Sequence, residues 1–350
     1  MKFSLFTEIQ CPSGASPHIR LNEFLEQAEL ADRLGFRGFW IAEIHCQPRF
    51  SLLSAPYVVL GAVAQRTDHL RLGVAVNTLP IHHPVHLAEQ AAMLDLISQG
   101  RMDFAAGGGH PHSRAYECFG ADHKSTHDIM VEALEIIRRA WSEETLNFTG
   151  KFFQIPEVVV NPKPVQSPLP PFYMATSSLE GVEVGARLGI NLLLPIHTRT
   201  PQQVVEFAKA YWDGLREQGH DQETRELGLL VPMHLAHTTA EARARSEAGV
   251  MSYFKTIADM RIDYTDWLMR RGDELPTRLK SAAGAMVDFP TVCSRHAIIG
   301  NSGSAVQALR DLSQKTGATH FLTWHNIGAV PHPLVRESME QFAQEVMPQL

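Results

Sequence analysis

Cysteine is scarce and scattered. Cys11, Cys46, Cys118 and Cys293 form no C-x-x-C pair, which argues against a disulfide framework or a structural zinc and fits a reducing compartment. Long apolar runs are also missing. No stretch approaches about 18 residues, and Met1-Lys2 leads straight into "FSLFTE" with no charged-then-apolar leader. The chain is therefore expected in the cytoplasm, away from membranes. Positive charge is not in excess: 31 Lys+Arg against 38 Asp+Glu give a net charge of −7. Without a basic face, nucleic acid is not an expected partner. There is no low-complexity tract and no internal repeat. What is present is 350 residues, 44% hydrophobic and 20% charged, enough for a sizeable core.

Short apolar runs alternate with helical patterns, the mark of a parallel sheet built from βαβ units. "KFSLFTE", "GFWIAE", "LRLGVAVNTL", "RMDFAAGG", "PFYMAT", "INLLLP", "LGLLVPMHLA" and "THFLTWHN" read as eight strands. Helices are expected at Leu21 to Leu34, Ala55 to Gln65, Pro84 to Ile97, Thr126 to Trp141, Leu179 to Leu188, Pro201 to Gln218 and Pro333 to Val346. Gly35 suits the position after a helix end, where φ > 0 is needed. Eight such units are better explained by one closed (β/α)8 barrel over residues 1–350 than by two domains. Two departures stand out. Residues 145–171 carry six prolines and form an irregular excursion, with a hairpin near "NFTGKFFQI". A helical insertion between strands 7 and 8, at about 239–297, follows a strand's C-terminal end and suits a lid.

Barrel enzymes place their chemistry at the C-terminal ends of the strands. Those ends give Glu8; Glu43, His45 and Cys46; Asn77; Gly107, Gly108, Gly109 and His110; Thr176, Ser177 and Ser178; and Trp324. Carboxylates are few and the H-x-H of "GGGHPHS" sits on a glycine-rich turn, so no metal site is expected. "MATSSLEG" places hydroxyls and free N–H groups at a helix start, which is either an anion site or plain capping by Ser178. The glycines of "AAGGGH" let a flat or phosphorylated ligand approach the backbone. "FWIAEIHC" ends a buried strand in a carboxylate, an imidazole and a thiol; Glu43 and His45 can move or hold a proton, or merely anchor the strand end. Cys46 has no partner motif. His82 and His83 precede Pro84 and read as capping or surface residues.

"GFRGFWIAEIHC", "LRLGVAVNTLPIHHPVHLAEQAAMLDLISQGRMDFAAGGG" and "YMATSSLEGVEVGARLG" together resemble the bacterial luciferase-like flavin monooxygenases. The similarity runs nearly the whole chain and includes "GSAVQALRDLSQKTGATHFL" near its end. It implies a TIM barrel that takes reduced FMN from a separate flavin reductase and uses O2, through a flavin C4a-peroxide, to oxidise a small or carrier-bound organic substrate. Homodimers are implied as well.

Carried over residue by residue, the resemblance makes Ser178 the phosphate ligand, with Thr176 and Ser177 beside it. Ala75-Val76 matches a bulged, often cis peptide against which the flavin rings pack, next to Asn77. Gly107 to His110 matches the turn along the pyrimidine and ribityl side. The luciferase arginine near the phosphate is absent, because Gly108 stands there; Arg114 or Arg295 would have to supply that charge. The family's Glu-His-His reads Glu43-Ile44-His45 here, so the first His is missing and the catalytic pair is Glu43 and His45. Glu8, His112, Arg114 and Trp324 are the expected substrate contacts. Two other activities remain open: an F420-dependent hydride transfer on the same fold, and a non-catalytic flavin-binding partner subunit.

Overall fold

The computed structural model describes residues 1–12, 14–109, 114–274 and 287–350. In chain order its elements are β1 (Lys2–Thr7), α1 (Pro17–Arg33), β2 (Gly38–Ile41), α2 (Pro56–Ala64), β3 (Arg71–Thr78), α3 (Pro84–Ile97), β4 (Met102–Gly107), α4 (Ala115–Cys118) and α5 (Thr126–Ser142). They continue with β5 (Leu146–Thr149), β6 (Gln154–Val158), β7 (Phe172–Ala175), α6 (Leu179–Arg187), β8 (Asn191–Pro195), α7 (Pro201–Glu217), β9 (Leu227–Leu235) and α8 (Thr239–Arg271). The last are α9 (Phe289–Arg295), β10 (Ile298–Gly300), α10 (Ser302–Thr316), β11 (His320–Trp324) and α11 (His332–Gln341).

The strands are apolar on both faces because one face fills the barrel and the other meets the helices. Phe39, Trp40, Phe104 and Phe321 are wholly buried. Neighbour follows neighbour in parallel through β1, β2, β3, β4, β7, β8 and β9 to β11, and β11 returns to β1. This is a closed (β/α)8 TIM barrel. β5 and β6 form a separate antiparallel hairpin. The short strand β10, absent from the sequence reading, adds to the far end of β9 by pairing Ile298 with Met233 and Gly300 with Leu235.

Helix ends follow local chemistry. Proline opens α2, α3 and α7, where its missing N–H costs nothing. Thr200 and Gln203 complete a reciprocal cap on α7. At the N-terminal end of the barrel, the Glu226 carboxylate accepts from Lys2 Nζ at 2.6 Å, Arg37 Nη1 at 3.1 Å and the Tyr173 hydroxyl at 3.0 Å. His320 Nδ1 lies 2.7 Å away. Burial pushes this carboxyl up, but the His320 hydrogen bond and the surrounding cations outweigh it and hold it well below the usual range.

The segment after β9 forms one helix of 33 residues, within the stretch at about 239–297 read from sequence as a helical insertion. This helix docks backbone to backbone on the loop after β11: a Cβ on Gly328, whose φ is +64°, would meet the Gly249 carbonyl oxygen at 2.0 Å. Tyr253 of α8 then packs on Trp324 and Phe50, with ring centroids 4.9 and 5.7 Å apart. Among the described residues, no helix is long and apolar enough to cross a membrane.

Candidate active site

Sheet order brings the C-terminal ends of β2, β3, β4 and β7 side by side. Three strand spacings make this arc about 14 Å long. Its first end is Glu43, buried just past β2. Glu43 Oε2 accepts the Thr78 N–H at 2.7 Å. Oε1 faces Nε2 of both His82, at 2.6 Å, and His45, at 3.1 Å. Burial alone would raise this carboxyl, but the hydrogen bonds from His45 and His82, the charge of His82 and the Thr78 N–H hold it down at about 2. An ionised carboxylate only accepts, so both Nε2 atoms carry hydrogen and both Nδ1 atoms are left to exchange a proton.

His82 thus overturns its reading as a capping or surface residue: it is drawn in because β3 lies beside β2 and ends next to Glu43. His83 does hold the capping position of α3, without a side-chain bond to it. Ile44 lines the cleft with His45, Gln47, Ile81, Tyr116 and Met260. An imidazole from the loop after β3 thus meets the carboxylate that follows β2. The ligand atoms of Glu43, His45 and His82 lie within 4.8 Å of one another, a set that suits a metal ion in composition; here the hydrogen bonds already satisfy the carboxylate.

The middle of the arc is bare backbone. The Ala75-Val76 peptide is cis, and the β3–β4 register shifts between Val74 and Asn77. A Cβ on Gly107 would meet Val76 at 2.7 Å, one on Gly108 would meet nothing within 4 Å, and Gly109 has φ +80° with Thr78 2.4 Å from its Cβ position. Gly107 and Gly109 leave no room for a side chain, and the turn leaves a shallow cradle open. Tyr116 donates to the Gly108 carbonyl and fixes the turn. Asn77 turns into the wall: it accepts from Tyr57 at 2.7 Å and donates to Ala105 at 3.0 Å. His110 and His112 lie outside the described residues.

At the far end, Ser178 caps α6 by accepting the Gly181 N–H at 3.2 Å, and its own N–H donates to Thr176 Oγ1 at 3.0 Å. Arg199, from the loop after β8, donates to the Ser177 carbonyl. Two hydroxyls, a helix N-terminus and a guanidinium fit a phosphate group. Sequence reasoning missed Arg199; adjacency of β7 and β8 is the signal that would have found it. Arg114 instead pairs with Glu117 at 3.0 Å, and Arg295 ends α9. Trp324 packs against Tyr253, and neither it nor Glu8 is in the lining of the Glu43–His45 cleft. Glu8 is buried, receives a hydrogen bond from Gln10 at 2.7 Å, and is pushed up to about 8 by burial against that bond. Trp324 is fully buried and donates to Asn326 at 3.0 Å.

The sequence pattern described as luciferase-like monooxygenase matches residues 1–320. The chain belongs to this family. It is 27% identical over 99% of its length to the oxygenase component of flavin-dependent trigonelline monooxygenase from Acinetobacter baylyi, of which it covers 95%. It is 28% identical to limonene 1,2-monooxygenase from Rhodococcus erythropolis, over 96% of this chain and 83% of that one. Among solved structures it matches the monooxygenase RslO1 from Streptomyces bottropensis with a TM-score of 0.83 and 25% identity, over 99% of both chains. It is also 29% identical, over 49% of this chain and 48% of that one, to F420-dependent hydroxymycolic acid dehydrogenase from Mycobacterium tuberculosis.

Proposed function

We propose that the chain is the oxygenase component of a two-component monooxygenase, using FMNH2 from a separate flavin reductase and O2 to oxidise a small or carrier-bound organic substrate. The observation that carries this reading is the continuous arc from Ser178 to Glu43, with a phosphate-suited end and a proton-holding end. Thr176, Ser177, Ser178 and Arg199 would hold the phosphate, Gly107 to Gly109 the ribityl side, and Ala75-Val76 the ring system. Reduced FMN, when bound, supplies the electrons that activate O2.

The side chains then divide the remaining work. Glu43 stays ionised and fixes both imidazoles by Nε2, so His82 and His45 take up or release a proton at Nδ1. Ile44, Ile81 and Met260 keep water from that end of the cleft. Tyr253 brings α8 over the barrel mouth as a lid, and the insertion that carries it is placed to select the substrate. The outer faces of α2 and α3 expose Val58, Met93, Leu96 and Ile97; such a patch on two packed helices suits a homodimer interface.

The F420-dependent relatives make hydride transfer the second reading. Anaerobic titration of the purified protein with FMNH2 and with reduced F420 separates the two. The oxygenase reading expects FMNH2 to bind more tightly, and oxygen-18 from O2 to enter a product when a flavin reductase, NAD(P)H and substrates such as trigonelline or limonene are supplied. Tighter binding of F420 with no oxygen incorporation would replace it. Added EDTA is expected to leave turnover unchanged.

A further inference from the structure

The cleft rim carries a feature that flavin chemistry does not use. Cys46, just past His45, and Cys118, at the end of α4, are both exposed, and their side chains lie next to each other. The same two segments meet again one residue to either side: the His45 and Phe119 rings pack edge to face at 4.9 Å, and Gln47 shares the cleft lining with Ala115 and Tyr116. The other two cysteines are set apart. Cys11 is buried and donates to the Ala15 carbonyl at 3.6 Å, and Cys293 is partly buried.

We propose that Cys46 and Cys118 are a redox pair that hydrogen peroxide converts to an intramolecular disulfide, tying the loop after β2 to α4 across the cleft. The guanidinium of Arg114 lies near both thiols. Contact with Cys118 and partial burial push the Cys46 thiol up, with Arg114 opposing. One of the two sulfurs attacks one peroxide oxygen, the O–O bond breaks, and water leaves after proton transfer to give a sulfenic acid. The other sulfur then displaces the sulfenic oxygen as a second water. Two thiols are oxidised by two electrons and one peroxide is reduced to two waters. A dithiol reductant reverses the reaction by exchange. In the disulfide form His45 and Tyr116 are held in a fixed relation at the cleft wall, so turnover falls. That last consequence rests on reading the cleft as the substrate site; the disulfide itself does not.

The experiment treats the full-length protein with a small excess of hydrogen peroxide and follows free thiols, intact mass and peptide maps. The proposal expects two thiols to disappear, two hydrogen atoms to be lost from the mass, and one Cys46–Cys118 peptide link that dithiothreitol removes. Cys118→Ser and Cys46→Ser should each abolish the link while leaving FMN binding intact. Sulfinic acid on either residue without a link, a link to Cys11 or Cys293, or a link between chains would overturn it. Turnover with a flavin reductase is measured in parallel: a severalfold loss that dithiothreitol restores, absent in both variants, supports closure of the cleft. A disulfide that forms with turnover unchanged leaves the redox pair standing and refutes the cleft's role.

Discussion

Nε2 of His82 stands 2.6 Å from Oε1 of Glu43, closer than Nε2 of His45 at 3.1 Å to the same oxygen. An imidazole from the loop after β3 is thus the nearer partner of the carboxylate that ends β2. In the proposed oxygenase, His82 stands in for the imidazole missing at Ile44. His82→Ala is expected to lower kcat by roughly a hundredfold, the lower range for loss of a general acid or base, while FMN affinity stays within experimental error. His45→Ala should show the smaller loss. Steady-state oxygen uptake with a flavin reductase checks both; equal activity of His82→Ala and the parent would remove His82 from the chemistry.

Arg199 and Ser178 make a prediction about the cofactor's phosphate. Arg199→Ala and Ser178→Ala are each expected to weaken FMN binding by roughly tenfold to a hundredfold, the range for hydrogen bonds to a charged group. Riboflavin, which lacks the phosphate, should bind parent and variants alike. Fluorescence titration of both ligands reads the difference. Equal losses for riboflavin and FMN would mean that the changes act on the fold.

Glu8 predicts a pH dependence of stability. Its carboxyl, ordinarily near 4.5, is pushed up to about 8 by burial, against the Gln10 hydrogen bond. Between these values the folded protein keeps a proton that the unfolded chain has lost, so stability is full below about 4.5 and declines as pH rises toward 8. Glu8→Gln keeps the shape and removes the titration. It should be more stable than the parent by about 3 kcal/mol at pH 7 and scarcely different at pH 4.5. Tyr253, the other titratable group facing Glu8, stays neutral over this range. Urea unfolding at several pH values gives the answer.

The exposed apolar faces of α2 and α3 predict self-association. Light scattering on a sizing column is expected to report a dimer, and Leu96→Glu with Val58→Glu should yield a monomer that retains the barrel's circular dichroism. A parent protein that is monomeric at micromolar concentration would assign that patch to something else.

Much of the barrel was legible in the sequence. Strands buried on both faces read as short apolar runs, and Pro84, Pro201, Gly35 and Gly189 mark helix ends by backbone chemistry alone. What was under-read has physical reasons. The buried stripe of α8 runs Ala242, Ser246, Gly249, Tyr253, Met260, Tyr264 and Trp267, a steady helical spacing disguised by its small and polar members. β10 is only three residues long. Within the candidate site, Glu43, His45 and the hydroxyls near Ser178 could be read from strand ends. His82, Arg199 and the Cys46–Cys118 pair could not, because each depends on which strand ends or loops become neighbours in three dimensions. His82 beside Pro84 looks locally like a helix start; only β2 next to β3 reveals its partner.

The most direct test is a crystal structure of the protein soaked with FMN. The account predicts phosphate density within hydrogen-bonding distance of the Ser178 hydroxyl and the Arg199 guanidinium, with the flavin rings along Ala75-Val76 and their reacting edge toward Glu43, His45 and His82. Phosphate bound elsewhere, or flavin rings turned away from that cluster, would contradict it.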